Sequence, residues 1–267
     1  MIAFGTVVYR EALGFFAEFL QSIDNQTFKE FDLLIINDGV DESELKVRLD
    51  ETSINSYVIN NTTNLKPADL RVKLIEESKK RGYNLLVIGD CDDLFATTRV
   101  ELIDKVQKKK PEYTFYYNEL LRFDFTPAMK DIPSTTEEIS QILQNNYIGM
   151  SNAALNLDKL SLDFIDSLKG CQSFVFDWYL FSRILCSGGK GVLVEKAITY
   201  YRIYSGNFVG LDAEVDRELE VKKMHYSMMV DYNPIYGSLL EKINSLDMNN
   251  IQVQLKDNSF WWNRIIL

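Results

Sequence analysis

Short apolar runs that stop at polar or acidic residues recur along the first half of this chain, with amphipathic stretches between them. They read Ile2 to Tyr9, then Ala12 to Ile23, then Phe31 to Ile36, then Glu42 to Leu49. That rhythm is the signature of βα units and a largely parallel sheet. A further strand is legible at Ser56 to Ile59, a helix at Pro67 to Lys80 and a buried strand at Leu85 to Ile88, with Pro67 suited to a first helical turn and Gly82 to a helix stop. After Asp93 the pattern predicts a helix around Arg99 to Lys109, a β-rich run at Tyr113 to Tyr117 and a helix over Thr136 to Asn145. The second half is less regular: a strand at Met150 to Asn156, a helix at Phe176 to Cys186, and strands at Gly191 to Val194 and Thr199 to Arg202. From Asp212 to Asp247 the pattern is mostly helical, interrupted near Asn233-Pro234, where proline restricts the residue before it. The fold class expected is α/β: a Rossmann-like, mostly parallel sheet flanked by helices, with a helical C-terminal extension.

A chain of 267 residues, 46% of them hydrophobic, can bury a sizeable core and stay one domain. Its formal net charge of −10 argues against a broad footprint for nucleic acid or anionic lipid, which need clustered Lys and Arg. An anionic substrate would then need local cations or a metal. The three cysteines, Cys91, Cys171 and Cys186, are scattered and fit a reducing compartment better than a disulfide framework. No leader-like stretch precedes the first strand, and no apolar run approaches the roughly 18 residues of a membrane span. The expected location is cytoplasmic, with any membrane contact peripheral, at the inner face.

The sharpest local feature is Gly89-Asp90-Cys91-Asp92-Asp93, three carboxylates directly after an apolar strand. Ligands of open parallel sheets bind at the carboxyl ends of strands. Crowded carboxylates are costly without a compensating cation or donors, and Mg²⁺ or Mn²⁺ suits oxygen ligands shared with phosphate. The other reading is a solvated loop whose Asp93 caps the next helix. Asn37-Asp38-Gly39 closes another strand; Asp38 can accept the imide N–H of a pyrimidine base, or the tripeptide is turn chemistry. Asp177 stands in the aromatic run Phe174 to Tyr179, where desolvation suits a general base, or it caps the helix to Cys186. Arg202, in Tyr200 to Gly210, can bind diphosphate or pair with a carboxylate, and Arg71 can reach the same strand ends or lie at the surface. His225 reads as structural, and the runs Lys79 to Arg81 and Lys108 to Lys110 as solvated helix ends. The aromatic C-terminus, Phe260-Trp261-Trp262 to Leu267, has three readings in order: docking on the chain's own core, a homodimer interface, and a membrane-surface contact.

Taken in order, these pieces resemble the family 2 glycosyltransferases of the GT-A fold over most of residues 2 to 210, closest to bacterial rhamnosyltransferase-like members. Val7-Val8-Tyr9-Arg10, Gln26-Thr27 and Asn37-Asp38-Gly39 stand where that family has a Pro-x-Tyr-Asn-like turn, a Gln-Thr pair and Asp-Asp-Gly. Asp90-Cys91-Asp92-Asp93 stands for its Asp-x-Asp-Asp, Phe176-Asp177 for its Glu-Asp pair, and Arg71 for an Arg on the preceding helix. Tyr201-Arg202-x-Tyr204-x-x-Asn207-x-x-Gly210 looks like a Tyr-Arg-x-His-x-x-Asn-x-x-Gly pattern. Val7, Arg10, Asn37, Phe176 and Tyr204 depart from those patterns.

The resemblance implies an inverting transferase that moves a sugar from a UDP- or dTDP-sugar to a glycan or lipid-linked acceptor, in bacterial surface polysaccharide assembly. It implies Asp177 as base, donor contacts from Val8, Tyr9, Asp38, Arg71, Asp90, Cys91 and Arg202, and Mg²⁺ or Mn²⁺ on Asp92 with Asp90. Residues 1–110 would bind donor, 111–210 acceptor, and 211–267 would close the domain. The rival is a non-catalytic GT-A-like subunit that binds a nucleotide sugar or glycan, which the changes at Phe176 and Tyr204 keep open.

Overall fold

The computed structural model describes residues 1–204, 215–246, 260–265 and 267. Its first half repeats strand and helix: β1 (Ile2–Tyr9), α1 (Leu13–Asp24), β2 (Phe31–Asp38), α2 (Glu42–Leu49), β3 (Ser56–Asn60), α3 (Pro67–Lys80) and β4 (Leu85–Ile88). These strands are parallel and ordered β3-β2-β1-β4. Successive strand residues face opposite sides. Phe4, Leu33, Ile35, Leu85 and Val87 pack with Phe16, Phe19 and Leu45 of α1 and α2 on one side. Ala3, Leu34, Ile36, Leu86 and Ile88 pack with Val72, Leu74 and Ile75 of α3 on the other. Both faces are covered, which is why β1, β2 and β4 read as continuous apolar runs instead of alternating ones.

Beyond β4 come β5 (Leu94–Phe95), α4 (Arg99–Lys109), β6 (Phe115–Leu121), β7 (Thr135–Thr136), β8 (Ala153–Asn156), α5 (Leu162–Asp166), α6 (Phe176–Cys186) and β9 (Gly191–Tyr200). β8 runs antiparallel to β4 and β6, β6 is parallel to β9, and β9 is antiparallel to β5 and β7. Among the described residues nine strands thus make one mixed sheet flanked by helices.

Three local expectations change. The helix expected over Thr136 to Asn145 is instead β7 followed by a 3-10 turn at Ile139–Ile142. Thr135 pairs with Val192, and the Thr136 hydroxyl is held by those of Tyr117 and Tyr147, so tertiary pairing overrides local propensity. The strand expected from Met150 begins only at Ala153, because Asn152 bonds Gly149 N, Asn118 O and Tyr147 O and fixes a turn. The two strands expected near Gly191 and Thr199 are one, β9, with Lys196 at φ +63° and a register shift against β6.

The closing helices are α7 (Val215–Met229) and α8 (Ile235–Asn244), broken at Asn233-Pro234 as the proline requires. Positions 205–214, including the remainder of the Tyr201 motif through Gly210 and the expected division near residue 210, lie outside the described residues. His225 is fully buried, stacks on Trp178 at 4.0 Å between ring centroids, and is pushed down to about 3 by burial, so it stays neutral and structural. The C-terminal segment returns to the core. Trp261 and Asn146 exchange both backbone hydrogen bonds, at 3.0 and 2.9 Å. The Glu218 carboxylate accepts the Arg264 and Ile265 amides and pairs with Lys222, whose ammonium also donates to Ile265 O. Trp261, Trp262 and Ile265 are buried, as the first reading of this segment expected. Those three side chains are committed within the chain. Among the described residues no helix is long and apolar enough to cross a membrane.

The Glu218–Lys222 pair, with both side chains at 1% exposure or less, anchors this segment. Replacing Lys222 by Ala strands a buried carboxylate and should cost about 3–5 kcal/mol, whereas Glu218→Gln with Lys222→Met together should cost clearly less. Urea unfolding of the two variants checks this; equal losses would show that the pair is not the anchor.

Candidate functional site

Parallel strands end along one edge, and here β1 outruns its neighbour. Gly5 is already opposite Ile88, the last residue of β4, while β1 continues four residues to Tyr9, opposite Asp38 at the end of β2. Tyr9 therefore overhangs the acidic loop after β4, with its hydroxyl 3.5 Å from Asp92 Oδ2. The chain enters that loop over an aromatic cluster, and a Cβ on Gly89 would lie 2.3 Å from Phe95 and 2.7 Å from Phe4. Only glycine passes there, which fixes where the carboxylates begin.

The four loop residues diverge in burial. Cys91 is buried, and burial, with Asp92 and Asp90 beside it, pushes its thiol well up. Val8 is likewise buried in the core. Both side chains are turned into the core, so what these two sequence-selected positions present at the edge is backbone. Asp92 accepts from Tyr204 Oη at 2.9 Å, and burial, reinforced by Asp90, raises its carboxyl above the ordinary range. Asp93 is buried and does not cap α4, whose N-cap is Thr98. Instead its two oxygens accept from Ser151 Oγ and from the Arg202 amide at 2.8 Å.

Asp90 turns the other way. Arg71 on α3 reaches its Oδ1 at 3.1 Å, so this helix and the loop converge, and Arg71 is not merely a surface residue. The Arg71 guanidinium also acts electrostatically on Asp177, in the first turn of α6. Asp177 is not the helix cap: that position is Val175, and the Asp177 carboxylate accepts the Trp178 amide at 2.6 Å. Burial lifts its carboxyl to about 7, with Arg71 and the Trp178 amide opposing the rise. Asp38 holds the edge beyond, accepting from Asn61 Nδ2 at 2.8 Å.

Arg202 is clamped. Its guanidinium lies 4.4 Å from the centroids of both Phe15 and Phe123, its Nε donates to Asp92 O at 2.7 Å, and one terminal nitrogen pairs with Glu18 at 2.6 Å. Of its two sequence readings, carboxylate pairing is the one visible. Several structural members of the site carried no sequence signal. Ser151 joins the acidic loop from the segment before β8. Arg99, fully buried, donates to Asn118 Oδ1, Ile88 O and Ser151 O, sits 4.7 Å from the Phe95 centroid, and is pushed down to about 9 by burial, with Asp93 opposing. Nothing in a first-turn arginine of an amphipathic helix announces this.

Among the described residues no three acidic, cysteine or histidine side chains converge as a metal cage. A magnesium-type ion needs only one or two carboxylates when phosphates supply the rest. Asp92, its carboxylate desolvated beside Asp90, fits that shared kind of site, whereas Asp93 is consumed by Ser151 and Arg202.

No protein-family model and no curated protein sequence matches this chain. Solved structures do. Residues 1–349 of TarS from S. aureus, in complex with UDP-GlcNAc, superpose with TM-score 0.64 at 14% identity over 93% of this chain and 74% of that one. The same TarS segment with UDP gives 0.61 at 13% identity, over 96% and 75%. The mannosyltransferase PcManGT from Pyrobaculum calidifontis, with GDP-Man and Mn²⁺, gives 0.59 at 12% identity, over 90% and 68%. The chain has the mixed α/β fold of these GT-A-like glycosyltransferases.

The raised Asp177 carboxyl has a consequence for stability. Folding favours its protonated form, so its contribution is intact below the unfolded value, is lost as pH climbs toward about 7, and is flat above. Asp177→Asn should therefore stabilise the fold at pH 8 by up to about 4 kcal/mol relative to the native chain, a gain that vanishes near pH 4. Thermal unfolding at both pH values checks it; a gain independent of pH would contradict the burial of the charge.

Proposed function

We propose that this chain is an inverting glycosyltransferase that takes a sugar from a UDP- or dTDP-sugar and delivers it to a hydroxyl of a glycan or lipid-linked acceptor. The observation that carries the reading is the shared Arg71: one guanidinium pairs with Asp90 of the acidic loop and acts electrostatically on the desolvated carboxyl of Asp177. In this reading Arg71 and Asp90 handle donor charge, and Asp177, lifted to about 7, is the base poised near neutrality. The three solved structures described above are complexes with UDP-GlcNAc, UDP and GDP-Man, which supports the same reading.

In this proposal Asp38 receives the pyrimidine, the strand-end backbone at Val8 and Cys91 with the Tyr9 ring walls the nucleotide, and Arg71 faces the diphosphate. Asp92, with Asp90, would hold Mg²⁺ or Mn²⁺, which when bound neutralises charge on the departing diphosphate. Asp177 accepts the acceptor hydroxyl's proton while that oxygen forms its bond to the anomeric carbon. The bond from that carbon to the phosphate oxygen breaks on the opposite face, and its electron pair leaves with the nucleotide. Arg202 holds Asp92 in place through its main-chain oxygen. Residues 1–110 serve the donor, 111–210 the acceptor and 211–267 closure, working in the cytoplasm on acceptors of surface polysaccharide assembly, some presented at the inner membrane face.

The second reading, a binding subunit without catalysis, is favoured by one contact: Tyr204 already satisfies Asp92 Oδ2 within the protein. Calorimetric titration of UDP and dTDP with and without Mn²⁺ separates these readings from a third outcome, no nucleotide binding at all. Metal-dependent binding that is lost in Asp92→Ala is expected. Asp177→Asn should keep that binding and lose transfer, measured as nucleotide released with acceptor sugars, by roughly 10²–10⁴-fold. Near-normal release by Asp177→Asn would remove the base, and absence of binding by the native chain would remove the donor site.

A further inference from the structure

The acidic loop is not held from below alone. Asp93 is gripped on both sides, by Ser151 Oγ and by the Arg202 amide, and Ser151 Oγ in turn accepts the Asp90 amide at 3.2 Å. The two gripping segments come from distant parts of the chain, one entering β8 and the other leaving β9. Trp261 touches both. Its ring lies over Gly149, two residues before Ser151, so closely that a Cβ there would fall 2.9 Å from the indole. It meets Tyr201, the residue before Arg202, edge-on at 6.3 Å between centroids. Its backbone is paired to Asn146 in both directions. The indole Nε1 makes no hydrogen bond among the described residues, so the ring is kept for its shape and area.

We propose that Trp261 is a positioning residue for the acidic loop: the docked C-terminal segment sets the spacing of the two segments whose Ser151 hydroxyl and Arg202 amide clamp Asp93. The ring packs as a wedge between them. Dense interiors transmit such displacement because neighbours cannot deform independently. Removing the wedge lets Gly149 and Tyr201 relax toward the vacated volume, and Ser151 and Arg202 follow. The effect on donor binding rests on the proposed donor site; the clamp itself does not.

The Asp90 and Arg202 amides report the clamp directly, since each donates to one of its members. Hydrogen exchange at these amides is measured in the full chain for the native protein, Trp261→Ala, Trp261→Phe and Leu239→Ala. The last is a control that truncates α8 in the same apolar cluster. Exchange in Trp261→Ala about tenfold faster at both amides, with Trp261→Phe close to native and Leu239→Ala little changed, is expected. Equal exchange in Trp261→Ala and Leu239→Ala overturns the proposal. Gly149→Ala keeps every ring and displaces the indole, so it decides the matter if Trp261→Ala does not fold: faster exchange at both amides supports the clamp and native exchange refutes it. UDP titration of the same proteins with Mn²⁺ keeps the two readings apart. A native protein that binds no UDP counts against the donor site, while the exchange rates still decide the clamp.

Discussion

Everything at the candidate site depends on how three carboxylates are kept beside one another at the end of a buried strand. The answer visible in the structure is a division of labour imposed by burial. Asp93 goes inward and is satisfied by Ser151 Oγ and the Arg202 amide. Beneath it Arg99, also buried, binds the Ile88 and Ser151 carbonyls and Asn118, and supplies the opposing charge. A buried charge without donors would be too costly to keep, so these contacts are a condition for the loop to exist in this shape. With Asp93 satisfied from within, the half-buried Asp90 turns to Arg71 and the buried Asp92 to two tyrosine hydroxyls.

The same logic governs Arg202. A guanidinium between two aromatic rings, with its Nε on a backbone carbonyl and a further nitrogen on Glu18, is held in one orientation. Planar, multidentate contacts of this kind are what arginine provides and lysine does not. Its position joins α1, the turn after β6 and the acidic loop, so the strand end carrying Tyr204 is delivered to Asp92 by a preorganised contact. In the proposed transferase this makes Tyr204 part of the resting state of Asp92, a hydroxyl donor standing where the resembling pattern has a histidine.

What could be read from the chain beforehand follows from range. β1, β2, β4, α3 and α6 are legible because their patterns are local: apolar runs buried on both faces, a proline at a first turn, a glycine stop. Asp90 and Asp92 could be selected because they follow a strand end, Asp177 because it stands in an aromatic run, and Arg71 through the resemblance. That Asp38 and the acidic loop lie along one edge is then a property of parallel topology. Residues 136–145 misled because helical periodicity there is overruled by two tyrosine hydroxyls and a pairing with β9. Ser151 and Arg99 were invisible for a related reason, and Trp261, although its docking on the core was legible, gave no sign of which segments it would touch. Each acts through partners brought together by the tertiary fold, and no spacing along the chain encodes that.

The two halves of the proposed chemistry also share a support. Asp177 is carried by α6, whose next residue, Trp178, stacks on His225 of α7 and donates through its indole to Ile142 O. The acidic loop is tied through Ser151 and Tyr201 to Trp261, and the segment bearing Trp261 is anchored to α7 by Glu218 and Lys222. One helix beyond the sheet therefore braces both Asp177, the proposed base, and the carboxylates it would work beside. A base must stand within hydrogen-bond reach of the proton it takes, and small errors in placement are expensive in rate. Bracing both groups from a common helix makes their separation depend on packing within one cluster, so α7 acts as part of the site's frame although it contributes no group to the edge itself.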